Sequence, residues 1–154
     1  MIPVECDIWR TGRVISCRVF GRPRAQGSKR HVGGGRMVET PELLDWRKLV
    51  SHVAGKAARD AGWSPLAGPC GLVLTCYRQA PKSPKWKAGG LPDTIPDADK
   101  LARAVCDSLS GVWYDDDRRI VNLTVMKRFG PIGCEVALTE LIETANPANR
   151  RTHV

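Results

Sequence analysis

"IPDADKLARAVCDSLSGVWYDDDRRIVNL", residues 95–123, contains two different hydrophobic periods, and the change between them decides the fold class. Leu101, Val105 and Leu109 recur every four residues and predict a short amphipathic helix from about residue 99 to 109. Past Gly111 the pattern alternates, predicting a strand with Val121, Leu123 and Val125 facing inward. The same stretch concentrates Asp97, Asp99, Asp107, Asp115, Asp116 and Asp117 in a chain whose net charge is +8. Like charges crowded together repel. Something must offset that repulsion.

Downstream, "FGPIG" is expected to turn the chain into "CEVALTEL", the antiparallel partner of that strand. Upstream, "APKSPKWKAGGLPDTIP" holds four prolines and two glycines and reads as a loop. It follows "CGLVLTCYRQ", a strand from Cys70 with Leu72, Leu74 and Cys76 on one face. Earlier still, Thr40, Pro41 and Glu42 form a helix start: a hydroxyl cap, a first-turn proline and an acid at the positive dipole end. Leu43, Trp46, Leu49, Val50, Val53, Ala54, Ala57 and Ala61 keep helical spacing, and Gly62 is placed to end the helix. "RPRAQGSKRHVGGGRMVETP" predicts a mobile basic loop, and "VECDIWRTGRVISCRVFG" a hairpin turning near Thr11 and Gly12. The order β-β-α-β-α-β-β gives one α+β domain over residues 1–143, with a mixed or largely antiparallel sheet and two main helices. Residues 144–154 lack a core-forming pattern and are expected to be a disordered tail.

A chain of 154 residues, 42% hydrophobic and 26% charged, has the make-up of a soluble domain able to bury a core without disulfides. Apolar runs such as "GLVLTC" are far too short to span a bilayer. Glu5 and Asp7 interrupt any signal-peptide core, so an intracellular, cytoplasmic location is expected. The six cysteines form no C-x-x-C pair and read as core thiols, not as zinc ligands or a disulfide framework. Surplus positive charge suggests nucleic acid as a partner, with surface solubility as the plain alternative.

In an extended segment Asp97 and Asp99 share a face with Cα atoms about 7 Å apart, whereas on a helix they diverge. Pro96 favours the extended form, and Asp99 is expected to cap a helix beginning at Lys100. Strand alternation sends Asp115 and Asp117 one way and Asp116 the other. If the two acidic segments meet, their carboxylates form a hard oxygen site suited to Mg²⁺, with Mn²⁺ as a substitute. The competing reading is a capping and turn pair plus a solvated turn. Arg103, four residues from both Asp99 and Asp107, also fits a helix-surface ion pair. The spacing excludes an EF-hand.

"PDADKLARAVCDSLSGVWYDDDRRIV" resembles the signature of the RusA family of Holliday-junction resolvases, typically phage or prophage endodeoxyribonucleases: D-x-D-N-L-x-K, a helix ending in D-A-L, an aromatic, D-D and a strand. "GRPRAQGSKRHVGGGRMVETPELLDWRKLV" is similar to the family's basic loop, Thr-Pro start and first helix. The resemblance covers most of residues 18–143 and implies a RusA-like fold, a symmetric homodimer, and branched DNA, a four-way junction, as substrate. By position it implies Asp97, Asp99 and Asp117 as metal ligands with Asp116 beside them. The family's lysine is replaced by Arg103 and its asparagine by Lys100. Arginine holds phosphate bidentately but is a poor proton donor, so Arg103 and Lys100 are expected to stabilise phosphate charge.

Arg22, Arg24, Lys29, Arg30 and Arg36, in and before the glycine-rich loop, are candidate DNA contacts, as are Lys85 and Lys87 around Trp86. For Trp86 itself, core or dimer packing competes with base stacking. His31, His52 and His153 show no metal-ligand spacing, and no Ser–His–Asp or Cys–His set supports covalent catalysis. Two other classes stay open: a basic DNA-binding protein without catalysis, and a D-x-D enzyme holding a nucleotide sugar, for which the chain is small.

Overall fold

The computed structural model describes residues 9–27, 30–31, 37–82 and 90–144. The segment expected as a hairpin is one strand, β1 (Trp9–Phe20). A long partner makes the difference: Trp9 pairs with Glu143 and Phe20 with Gly133, antiparallel, and the R-T-G-R segment is absorbed as an irregularity between Thr11 and Val14. Gly12 suits that place because a Cβ there would come within 2.7 Å of Ile142 Cδ1. The basic loop that follows is not wholly irregular, since β2 (Arg30–His31) and β3 (Met37–Val38) pair antiparallel within it.

Helix α1 (Pro41–Ala61) starts and stops as its sequence predicts. Thr40 Oγ1 accepts the Leu43 N–H at 3.3 Å, and Gly62, at φ +61°, turns its own N–H back to the Ala58 and Arg59 carbonyls. The helix buries Leu43, Trp46, Val50, Ala54 and Ala58. Next come β4 (Cys70–Arg78), α2 (Ala98–Leu109), β5 (Ile120–Phe129) and β6 (Gly133–Glu143). The four long strands form one mixed sheet in the order β1-β6-β4-β5.

β5 and β6 follow one another closely in the chain but are not neighbours, contrary to the hairpin expected of them. The crossover through α2 brings β5 down parallel to β4, so β6 takes the other side of β4 and lies between it and β1. Both helices pack together on one face of this sheet, closing a core that includes Ile15, Val19, Leu72, Leu74, Val136 and Leu138. Of the three β5 residues expected inward, only Val125, opposite Leu74, packs on the core. Leu123 pairs with buried Leu72 yet is 47% exposed at the sheet edge, and Val121, at a register shift, is 64% exposed.

Cys70, Cys76, Cys106 and Cys134 are buried free thiols, as expected, and Cys17 is half-buried; Cys6 lies outside the described residues. Burial pushes the Cys76 and Cys106 thiols up to about 12, which leaves them packing groups. No helix among the described residues is long and apolar enough to cross a membrane. The expected tail lies outside the described residues beyond Thr144.

Candidate active site

The D-x-D pair stands where the loop becomes helix, which starts two residues earlier than the sequence expectation. Asp97, not Asp99, occupies the N-cap of α2, with extended φ −69° and ψ 141°, and Asp99 lies in the first helical turn. The two carboxylates therefore leave backbone of different conformation instead of one strand-like face. Asp97 does not cap its own helix with its side chain. Its Oδ2 instead meets Lys100 Nζ at 2.9 Å, and this partner holds the Lys100 ammonium above its ordinary range.

The second acidic segment is anchored from beneath. Trp113 and Tyr114 are fully buried; the Trp113 indole N–H donates to the Ala54 carbonyl at 3.0 Å and the Tyr114 hydroxyl to the Cys106 carbonyl at 2.6 Å. The Asp115 N–H then bonds the Leu66 carbonyl at 2.9 Å. With its start pinned, the chain makes a single 3₁₀ turn over Asp117–Arg119, not the direct strand expected of the three aspartates. Each aspartate finds a different task. Asp115 grips Arg119 through two hydrogen bonds of 2.8 and 2.9 Å, and that guanidinium holds its carboxyl below the usual range. Asp116 caps the turn, its Oδ1 accepting the Arg118 N–H at 2.9 Å. Among the described residues Asp117 forms no ion pair: desolvation, then the Asp107 carboxyl, then Asp116 push its carboxyl above the usual range.

Asp107 is the residue that the sequence reading left without a site role. Its Oδ2 accepts the Gln26 Nε2–H at 2.6 Å, while the Gln26 N–H bonds the Lys100 carbonyl at 3.0 Å, so the start of the basic loop is stitched along α2. The available signal was the spacing Asp99, Arg103, Asp107, which puts all three on one side of the helix.

The acids thus form two groups at opposite ends of α2: Asp97 and Asp99 at its start, and Asp107 in its last turn with Asp116 and Asp117 of the segment that follows. The eight residues from Asp99 to Asp107 rise about 12 Å on an ideal helix. Among the described residues, no three His, Cys, Asp or Glu side chains gather as a ready cation shell. The donor chemistry suits Mg²⁺ or Mn²⁺, since every group is a hard carboxylate and the repulsion on Asp117 is what a divalent cation relieves. Arg103 is exposed between the two groups and, among the described residues, forms no ion pair. Arg22 and Arg24 line a cavity of about 590 Å³ that also borders Pro96, next to Asp97. Arg30 is described in its backbone alone, and Lys29, Arg36, Lys85, Trp86 and Lys87 lie outside the described residues.

Comparison with known proteins places these segments in one frame. The chain is 30% identical over 122 residues to "Uncharacterized protein YqaN" of Bacillus subtilis (strain 168), covering 73% of this chain and 86% of that protein. The family described as "Endodeoxyribonuclease RusA" matches residues 20–139, from the last residue of β1 into β6. Because that match takes in both aspartate segments and the helix between them, the chain belongs to the RusA endodeoxyribonuclease family.

Proposed function

We propose that the protein is a Mg²⁺-dependent, structure-specific endodeoxyribonuclease that resolves four-way DNA junctions by hydrolysing phosphodiester bonds. The observation that carries this reading is the single family match across both acidic segments, which makes the chain an endodeoxyribonuclease of the Holliday-junction resolvase type. In this reading Asp97, Asp99 and Asp117 would hold the cation, Mn²⁺ serving as a substitute, with Asp116 assisting. Magnesium holds its oxygens at about 2 Å, so with the acid groups at the two ends of α2 this reading requires either an ion at each group or their approach when the ion binds. Once bound, such an ion supplies Lewis-acid polarisation and charge neutralisation at a phosphate.

The chain's own groups do the rest. Lys100 holds the Asp97 carboxylate in place through the 2.9 Å contact. Arg103 presents a guanidinium between the acid groups, suited to clamp phosphate oxygens bidentately and unsuited to proton transfer. Arg22 and Arg24, with Lys29, Arg30, Arg36, Lys85 and Lys87, would follow the phosphate backbone. A homodimer would present two such sites to the two-fold junction, in the cytoplasm of a bacterium or phage-infected host.

The test is a synthetic four-way junction incubated with Mg²⁺, with EDTA, and with an Asp97→Asn variant. Symmetric nicking is expected with Mg²⁺ alone. It should fall by more than about 100-fold in the variant, beyond what changes outside the metal's own ligands produce. Junction binding without cleavage under any condition would favour a non-catalytic DNA-binding protein instead.

A further inference from the structure

The loop that delivers Asp97 is fastened to the sheet by two cations from adjacent strands. Arg78, the last residue of β4, donates from Nη1 to Thr94 Oγ1 and to the Ile95 carbonyl, both at 2.9 Å. Lys127, in β5, donates from Nζ to the Thr94 carbonyl at 2.6 Å and the Pro96 carbonyl at 3.0 Å. Further back, the Phe129 N–H bonds the Gly90 carbonyl at 2.9 Å. Three successive carbonyls that neither sheet nor helix satisfies are therefore held by charged donors, which make stronger hydrogen bonds than neutral ones. The last of them matters most. A peptide unit is planar, so fixing the Pro96 oxygen also fixes the nitrogen and Cα of Asp97 across the same bond. The Asp97 carbonyl, in turn, accepts the Leu101 N–H at 3.1 Å and starts α2.

We propose that Lys127 and Arg78 are positioning residues that set the location of Asp97 from the sheet side, through the backbone of Thr94, Ile95 and Pro96. The proposal deepens the reading of Asp97 as a cation ligand and rests on it. Both cations border the same cavity as Arg22 and Arg24, where a phosphate contact is the rival role. The geometry favours positioning, because two of the three Lys127 donors already serve loop carbonyls.

The test uses Lys127→Met, which keeps the apolar stem and removes the donors, Lys127→Arg as the conservative exchange, and Arg78→Met as an exposed second variant. With junction saturating, cleavage by either methionine variant is expected to fall by up to about 100-fold, the cost of misplacing a reacting group by about an ångström. Junction affinity should hardly move, the half-saturating Mg²⁺ concentration should rise, and Lys127→Arg should recover part of the rate. Loss of affinity with the saturated rate intact would overturn the proposal in favour of a phosphate contact. Hydrogen exchange supplies a readout free of activity: amides of residues 98–101 should exchange faster in Lys127→Met while those of β4 stay protected. Unchanged exchange there overturns the positioning role even if the wild-type protein cuts nothing, and a wild type that cuts nothing by itself overturns only the proposed function.

Discussion

Asp117 carries the least favourable surroundings among the three consecutive aspartates, since Arg119 answers Asp115 and the Arg118 N–H answers Asp116. A carboxyl whose folded pKa lies above its unfolded one contributes its stability below the unfolded value and loses it as pH rises through the folded value. Without metal, Asp117→Asn should therefore raise Tm at pH 7, and the gain should vanish below the carboxylate range. Added Mg²⁺ should narrow the difference by stabilising the wild type more than the variant. A variant less stable than wild type at pH 7 in EDTA would contradict this account. Asp107 gives a second handle on the same group. If Asp117 must be ionised to hold its cation, the acid limb of the cleavage–pH profile follows its raised pKa. Asp107→Asn removes the neighbouring charge and should move that limb to lower pH. An unmoved limb would show that Asp117 does not govern it.

At the scale of elements, the parts the sequence made legible are those whose signals are local. α1 announces itself through Thr40, Pro41 and Gly62, and the structure uses each as its chemistry suggests. Thr40→Ala should accordingly cost about 1 kcal/mol of stability, measured by urea denaturation with an unchanged m-value. A loss near zero would mean that Pro41 and the packing of Leu43 hold the helix start unaided. The strand order was not legible, because alternation in β6 specifies an apolar face and says nothing about which neighbour satisfies its hydrogen bonds. The same limit turned R-T-G-R into an apparent turn, since its long partner, β6, lies over a hundred residues away. In the site, the helix separating two acidic segments was legible. The way the segments sit was not: the start of α2 relative to Asp97 and Asp99 shifted by two residues, and buried Trp113 and Tyr114 turned the aspartates into a 3₁₀ turn facing Asp107.

For the molecule as a whole, the charge of +8 coexists with its acids partly by pairing, Lys100 with Asp97 and Arg119 with Asp115. Carboxylates lie at the two ends of α2, and Arg22 and Arg24 stand in the cavity beside Pro96. A phosphate backbone bound by those arginines would lie in the cavity that Pro96 borders, next to Asp97. Binding of this kind releases counterions, so log affinity falls linearly with log salt by about 0.9 per phosphate neutralised on duplex DNA. An Arg22→Ala, Arg24→Ala double variant, assayed with a four-way junction over a series of salt concentrations in EDTA, should flatten that slope by about 2. The methionine variants of Arg78 and Lys127 should leave the slope close to wild type, because their donors serve the Thr94–Pro96 backbone and not DNA. Equal flattening by both sets would make the whole cavity a phosphate track. An unchanged slope in the arginine variant, whatever its affinity, would remove Arg22 and Arg24 from the DNA path.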